Sequence, residues 1–398
     1  MSLHPIPEDQ MLEVSDLEDP LRRNPPSSSA SLSHHKRRSR FSRRNSRQWS
    51  EIAIFWAFIQ KAFWWFLVFL GLITLASSAW NNFHAHLSSS KDRFLPRPRP
   101  SLFTNYFTHG VSPVPCHSHN DYWRRVPLLS ALEAGCTSVE ADIWLENGLL
   151  RVGHTRKTVL RGQTLQSLYL NPLLEMLKQH NPQLNRTSLA FSSGSTFDQN
   201  EEDELVGIFA TDPKQTLVLL IDFKSGEHLW EYLIESLHSF REHGLLTFSN
   251  GSDVISRPIT IVVTGDAPFY RVARNTYHDI FYDAPLDGLS LPESTASSGH
   301  ANVPYSPQNS YYASVDFRKA IGSLPLSRLS QGQLVKLRNQ IRDAHGRGLK
   351  VRYWGTPSWP VNLRNYVWRV LVREGVDMLN VDDLNAATKV DWKETSWW

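Results

Sequence analysis

Three regimes of hydrophobic and polar residues follow one another along the chain. Residues 1–51 are polar, rich in Ser, Pro and Arg, and without periodicity. They can bury little apolar surface, so a disordered leader is expected. Residues 62–80 (AFWWFLVFLGLITLASSAW) contain no charge, and Ile52 to Ile59 extend the apolar run upstream with Lys61 as the charged interruption. A helix needs ~20 apolar residues to cross a hydrocarbon core, and a buried core helix is seldom apolar on every side for so long. Residues 52–80 are therefore predicted to form one transmembrane signal-anchor helix, with Trp56, Trp64, Trp65 and Trp80 as membrane aromatics. A Pro- and Ser-rich stalk fills 81–109, and a tryptophan-rich tail occupies 391–398.

From 110 to 390 the pattern becomes an alternation of strands and helices. Short apolar runs at 114–119, 137–143, 216–222, 259–264, 279–283, 311–316, 349–353 and 376–381 read as eight strands. Segments 127–134, 165–179, 227–243, 330–346 and 361–373 read as helices; in the third, Leu229, Leu233, Leu237 and Phe240 recur at helical spacing. Nearly continuous apolar strands imply a parallel sheet covered on both faces. Eight of them in one domain fit a (β/α)8 TIM barrel better than a doubly wound sheet. Segments 185–215 and 284–310 read as loops.

Charge sharpens this division. The 398-residue chain has 42 Lys+Arg against 39 Asp+Glu, a net charge of +3. Residues 1–20 hold six acids and no Lys or Arg, residues 21–50 hold nine bases and no acid, and the remaining chain balances to zero. No nucleic-acid surface is expected from such a distribution, and no protein partner is indicated. The acidic opening argues against a mitochondrial presequence, and the long leader and apolar run against a cleaved signal peptide. Basic residues Arg37 to Arg47 precede the span, so the positive-inside rule predicts a type II topology, with everything from 81 onward lumenal or extracellular. Asn185 and Asn250 begin glycosylation sequons on that side. Two cysteines, Cys116 and Cys136, exclude a disulfide-dense scaffold and an all-cysteine zinc site. They fall at similar heights on the first two strands, where an oxidising lumen permits a bond; two buried thiols are the alternative.

The polar residues of the barrel gather at strand C-termini, where such barrels carry their chemistry. The first strand ends His117-Ser118-His119-Asn120-Asp121, the second carries Glu140-Ala141-Asp142, an extended piece ends Val152-Gly153-His154, and the third ends Asp222-Phe223-Lys224. Glu140 and Asp142 are two apart in a strand and share one face. Two carboxylates on one face repel unless a cation or proton bridges them. With Asp222 and the amide oxygen of Asn120 they offer an all-oxygen site, suited to Mg2+ or Ca2+. Two histidines outside that set supply a general base and a general acid, and Lys224 an anion contact. Such a set suits phosphodiester cleavage, whose transition state gathers negative charge on oxygen.

The ordered series His119-Asn120, Glu140-x-Asp142, His154 and Asp222-x-Lys224 resembles the PLC-like phosphodiesterases. That superfamily holds glycerophosphodiester phosphodiesterases, phosphoinositide phospholipases C and toxin phospholipases D. The text PCHSHNDYWRRVPLLSALEAGCTSVEADIWLENGLLRVGHT, with RGQTLQSLYLNPLLEML and GVDMLNVDDL behind it, is similar to the fungal altered inheritance of mitochondria protein 6 family. The similarity covers about 110–388. The family name describes an inheritance phenotype and does not place the protein in mitochondria. The resemblance implies His119 and His154 as catalytic histidines, Glu140, Asp142 and Asp222 as ligands of a divalent cation, and Lys224 on the phosphate. It also implies Trp354 as an aromatic bordering a glycerophosphodiester or phospholipid-type substrate. Asn120 stands where glycerophosphodiesterases carry arginine, as the phosphoinositide phospholipases do with a cation-holding asparagine. Asp222 stands where they usually carry glutamate, as in the toxin branch.

Other readings stay open at this stage. His117 reads as structural, Asp121 as a strand-end cap, and Asp382 and Asp383 as a helix cap. The barrel could bind lipid headgroups or a protein without turnover. It could also be a zinc hydrolase using His117, His119 and His154. Water or a neighbouring substrate hydroxyl is the attacking group, and the sequence does not choose between them.

Overall fold

The computed structural model describes residues 54–77, 108, 110–160, 162–184, 205–289, 303–324 and 327–392. The leader, the stalk up to 107, Asn185, the loop centres at 185–204 and 290–302, and the last six residues lie outside that set. The chain divides into two units, Met1–His86 and Leu87–Trp398.

In the first unit, Ile54–Ser77 forms one continuous helix of 24 residues with a mean hydropathy of 1.7 over its most apolar stretch. At 1.5 Å per residue it is about 36 Å long, enough for a hydrocarbon core of about 30 Å. Trp56, Trp64 and Trp65 are all exposed on it. It is a candidate membrane anchor by length and composition.

The second unit is the expected barrel. Its strands are β1 (Val114–Ser118), β2 (Cys136–Glu146), β3 (Leu149–Val152), β4 (Leu217–Phe223), β5 (Phe248–Ser249), β6 (Val254–Ile255), β7 (Ile259–Gly265), β8 (Ile280–Pro285), β9 (Ser310–Asp316), β10 (Lys350–Trp354) and β11 (Met378–Val381). Eight of these pair in parallel in the ring order β1, β2, β4, β7, β8, β9, β10, β11, and the β11–β1 pairing closes it. All eight predicted strands are present. Two hairpins add to the eight strands, the first using the extended piece expected before His154. β2 runs beyond the barrel and turns back at Asn147-Gly148, both with positive φ, into antiparallel β3; this is the turn chemistry that closes a tight hairpin. β5 and β6 form a small hairpin before β7, with the exposed Asn250 between them.

Predicted helices appear as Leu129–Ala134, Asn171–His180 behind a single wide π turn, Leu229–Ser236 with His238–Glu242, Gln331–Gly346 and Val361–Glu374. Gln331–Gly346 is started by a capping box in which Ser330 and Gln333 satisfy each other's backbone N–H groups. Residues near both ends of this unit are packed. Thr108 is buried, and Trp392 sits edge-on to Trp368 at 5.3 Å while donating to the Ala387 carbonyl.

Alternation along each strand makes two cores. Outward residues pack under the helices in a large cluster, and Val218, Leu220, Val262, Phe281, Tyr312 and Met378 fill part of the barrel interior. The rest of the interior is polar. Arg352 lies buried there, donating to Ser314 Oγ at 3.0 Å, Asn380 Oδ1 at 2.9 Å and Asp283 Oδ2 at 2.9 Å. Cys116 and Cys136 are joined by a disulfide between β1 and β2, at the outer face of the barrel.

Removing one half of the buried Arg352–Asp283 pair strands the other charge. Arg352→Leu is expected to cost about 3–5 kcal/mol, and the double replacement Arg352→Met with Asp283→Leu to recover most of that. Urea unfolding of the two variants beside the parent measures both, and equal destabilisation of the single and double variants would refute the pairing.

Candidate active site

Inward residues at the C-terminal ends of β1, β2 and β4 meet in one cleft. Pairing of β2 with β4 sets Asp142 opposite Asp222, and the β2–β3 hairpin returns His154 beside them. That hairpin is pinned by Trp144 Nε1 donating to the Gly153 carbonyl at 2.7 Å and Gly153 N to the Asp142 carbonyl at 3.0 Å. One carboxylate oxygen each from Glu140, Asp142 and Asp222 lies within 4.8 Å of the other two, a set able to hold a metal ion.

The two aspartates divide their oxygens. Lys224 Nζ bridges one side, 2.6 Å from Asp222 Oδ2 and 3.1 Å from Asp142 Oδ2. The other two oxygens, Asp142 Oδ1 and Asp222 Oδ1, are buried without a donor. Buried carboxylate oxygens without partners are costly, and a hard cation is the partner their chemistry fits. Gly265 protects this approach. Its φ is +69°, and a Cβ there would fall 2.1 Å from Asp222 Oδ1, so a side chain would displace that oxygen.

Electrostatics follow from this crowding. Burial pushes the Asp222 carboxyl up to about 6, against the pull of Lys224. Burial and the adjacent Glu140 also raise Asp142, with Lys224 and Tyr122 opposing. Glu140 behaves differently. Burial would raise it, but His117, Arg352 and His119 outweigh burial and hold its carboxyl below the usual range. The backbone N–H of Asn120 also donates to Glu140 Oε2 at 3.0 Å. Asn120 makes this contact from a left-handed backbone, φ 45° and ψ 48°, a conformation asparagine tolerates better than most residues.

The histidines differ in role. His117 is fully buried between Ser138 Oγ at 2.7 Å and Glu140 Oε2 at 3.4 Å. Burial and Arg352 lower it to about 4, so it stands as a neutral support. His119 places Nδ1 2.8 Å from Asp382 Oδ1. A carboxylate only accepts, so Nδ1 carries the proton and Nε2 is left to face Asn120 Nδ2 at 3.3 Å. Burial opposes a charge on His119, but Asp382 and Glu140 raise it above its ordinary value. His154 places Nδ1 3.2 Å from Asp142 Oδ2, with its ring edge-on to Trp123 at 5.2 Å. Each of these two rings therefore presents Nε2. The three histidines face different acceptors and do not converge, which disfavours the zinc arrangement.

Three residues join the site that sequence reasoning placed elsewhere or passed over. Asp383 caps Leu384–Thr388 as expected, whereas Asp382 does not; it turns to His119. Tyr122 places its hydroxyl 2.6 Å from Asn120 Oδ1 and 2.7 Å from Asp142 Oδ2, tying two of the expected cation ligands together. Arg352 supplies a fixed positive charge beneath Glu140. An arginine at an inward position of a predicted strand was the available signal for the last. Asp121 is a buried anchor, accepting from Ser118 Oγ at 2.7 Å and Tyr169 Oη at 3.0 Å and from the Leu128 N–H. Trp354 is exposed at the same end of the barrel, at the close of β10.

The eight parallel strands close into a (β/α)8 barrel that carries its acidic cluster and histidines at the C-terminal strand ends. Residues 105–283 match the family model described as an AIM6-like phosphodiesterase domain. The chain is 38% identical over 291 residues to the altered inheritance of mitochondria protein 6 homolog of Arthroderma benhamiae, covering 70% of this chain and 84% of that one. It is 36% identical over 286 residues to altered inheritance of mitochondria protein 6 of Eremothecium gossypii, covering 69% and 68%. Among solved structures, a glycerophosphoryl diester phosphodiesterase from Parabacteroides distasonis aligns over 74% of this chain and 92% of its own, with a TM-score of 0.36 and 12% identity. The chain belongs to the altered inheritance of mitochondria protein 6 family.

Proposed function

We propose that the protein is a membrane-anchored, metal-dependent phosphoric diester hydrolase acting on a glycerophosphodiester or phospholipid-type substrate. The observation that carries this reading is the pair of buried, donor-free oxygens on Asp142 and Asp222, in a carboxylate cluster that has His119 and His154 beside it. Glu140, Asp142, Asp222 and the amide oxygen of Asn120 would hold Mg2+ or Ca2+. A bound divalent cation would neutralise the charge gathering on the non-bridging phosphate oxygens.

The chain's own residues do the rest. Asp382 holds the His119 proton on Nδ1, so the Nε2 lone pair, which meets the Asn120 amide at 3.3 Å, takes the proton of the attacking hydroxyl or water when that group replaces the amide contact. The resulting imidazolium is held by the same carboxylate. His154, oriented by Asp142 and backed by Trp123, acts in its imidazolium form: it gives its Nε2 proton to the leaving oxygen and keeps the Nδ1 proton that it shares with Asp142. Lys224 binds the phosphate from the side opposite the donor-free oxygens, and Tyr122 fixes the Asn120 amide. Trp354 borders the substrate. Ile54–Ser77 anchors the barrel, in the type II orientation that Arg37 to Arg47 favour. A lumenal barrel suits the Cys116–Cys136 bond and a glycan on Asn250.

The test is phosphodiester turnover by the purified full chain in detergent, with and without EDTA. Activity is expected to vanish with chelator and to return with Mg2+ or Ca2+; turnover that persists in EDTA overturns the reading.

A pH dependence accompanies it. The folded Asp222 carboxyl titrates near 6, above its unfolded value. Above about pH 6 the cation-free fold therefore carries an ionised carboxylate at a cost; that cost shrinks as pH falls below 6 and is gone below the unfolded value. Below pH 6 a proton competes with the cation for the same oxygens. Thermal stabilisation by Mg2+ or Ca2+ is expected to be larger at about pH 7.5 than at about pH 5. Equal stabilisation at both would exclude Asp222 as a ligand.

A further inference from the structure

We propose a second binding site, for a small amphipathic organic anion, on the outer flank of the barrel away from the carboxylate cluster. Its origin is a gap in the helical coat. The helix linking β7 to β8 is only five residues, Phe269–Ala273, whereas those before β10 and β11 have sixteen and fourteen. The short helix leaves a cavity of about 420 Å³ between itself, the segment ending in His238–Glu242 and the β5–β6 hairpin. That volume falls in the range of small-molecule sites. Its wall reaches the residues that lead into β7 and β8, Arg257 and Asp279 among them, so it opens at the opposite strand ends from Asp142 and Asp222.

The charges lining it do not balance. Arg241 is held by Asp279 through two bonds, 2.6 and 2.9 Å, and Arg271 by Glu231 at 2.6 Å. Arg257 has no acidic partner among the described residues. Its guanidinium rests over the Phe248 ring at 6.0 Å, and its Nε is buried without an acceptor. A buried donor left unpaired is costly, and an arriving anion relieves that cost. A guanidinium fork matches phosphate and carboxylate oxygens. Beside it, Phe248 and the exposed Tyr277 lie 5.3 Å apart, with Trp230, Ile234 and Val272 deeper in. These rings and side chains offer an apolar bed next to the cation. One guanidinium seeking an anion beside an aromatic bed defines the ligand class: a phosphorylated or carboxylated head on a compact apolar body. Arg257 takes the head and the Phe248–Tyr277 pair takes the body.

Isothermal titration of the full chain in detergent with phenyl phosphate, benzoate, inorganic phosphate and benzyl alcohol tests this. Saturable binding is expected for phenyl phosphate or benzoate, tighter than for inorganic phosphate or benzyl alcohol. The preferred one of the first pair identifies the head group. Arg257→Gln should weaken that binding by about tenfold or more, as loss of a charge-assisted fork does. Asp142→Asn should leave it unchanged. Ile234→Trp, which fills the cavity while keeping Arg257, should abolish it, with circular dichroism confirming the fold. Binding that survives Arg257→Gln, binding lost in Asp142→Asn, or no saturable binding by any of the four probes overturns the site.

Discussion

His119→Ala is expected to lower phosphodiester turnover by about 10²- to 10⁴-fold, the range that positioned acid–base catalysis supplies. The folded state should survive, because His119 is partly exposed and its bonds run to Asp382 and Asn120 rather than to the core. The pH profile separates its role from that of a structural residue. Asp382 raises His119 against the effect of burial. In Asp382→Asn that support is lost, burial dominates, and the acidic limb of kcat/KM should move to lower pH with a smaller fall in turnover. A His119→Ala variant within a few-fold of the parent would remove this ring from the chemistry. An Asp382→Asn variant with an unmoved acidic limb would remove the pairing from it.

Asp142→Asn has a wider expected effect, because one carboxylate meets three side chains and keeps one oxygen without a donor. It faces Lys224, Tyr122 and His154 through Oδ2, and its Oδ1 is one of the two donor-free oxygens. Turnover is expected to fall by about a thousandfold or more, toward the level of the chelated parent. Stabilisation by Mg2+ or Ca2+ should disappear. Stability without cation is expected to hold or rise, since the variant relieves repulsion between Asp142 and Glu140. Melting curves with and without cation check this. A cation-free variant that unfolds well below the parent would mean that Asp142 is a structural residue and not a ligand.

Much of the fold was legible because alternation and helical spacing are local properties. Eight apolar runs appeared as eight barrel strands, and Leu229, Leu233 and Leu237 are buried in the helical segment that their spacing predicted. Glu140 and Asp142 share a face because strand side chains repeat every second residue. The small β5–β6 hairpin was not legible. Its two-residue strands are too short to show a period.

The sequence by itself determined the apolar segment, the barrel class, the acidic pair and the set of polar strand ends. Each is fixed by composition or by spacings of a few residues. Tertiary structure alone decided which polar groups face one another. Asp382 reaches His119 across 263 residues because closure of the ring places β11 beside β1. The same closure sets Asp222 opposite Asp142 and buries Arg352 among Asp283, Ser314 and Asn380. Alternation tells which face a side chain takes, but only ring order and register tell what it meets there. Two buried oxygens without donors are a property of that meeting.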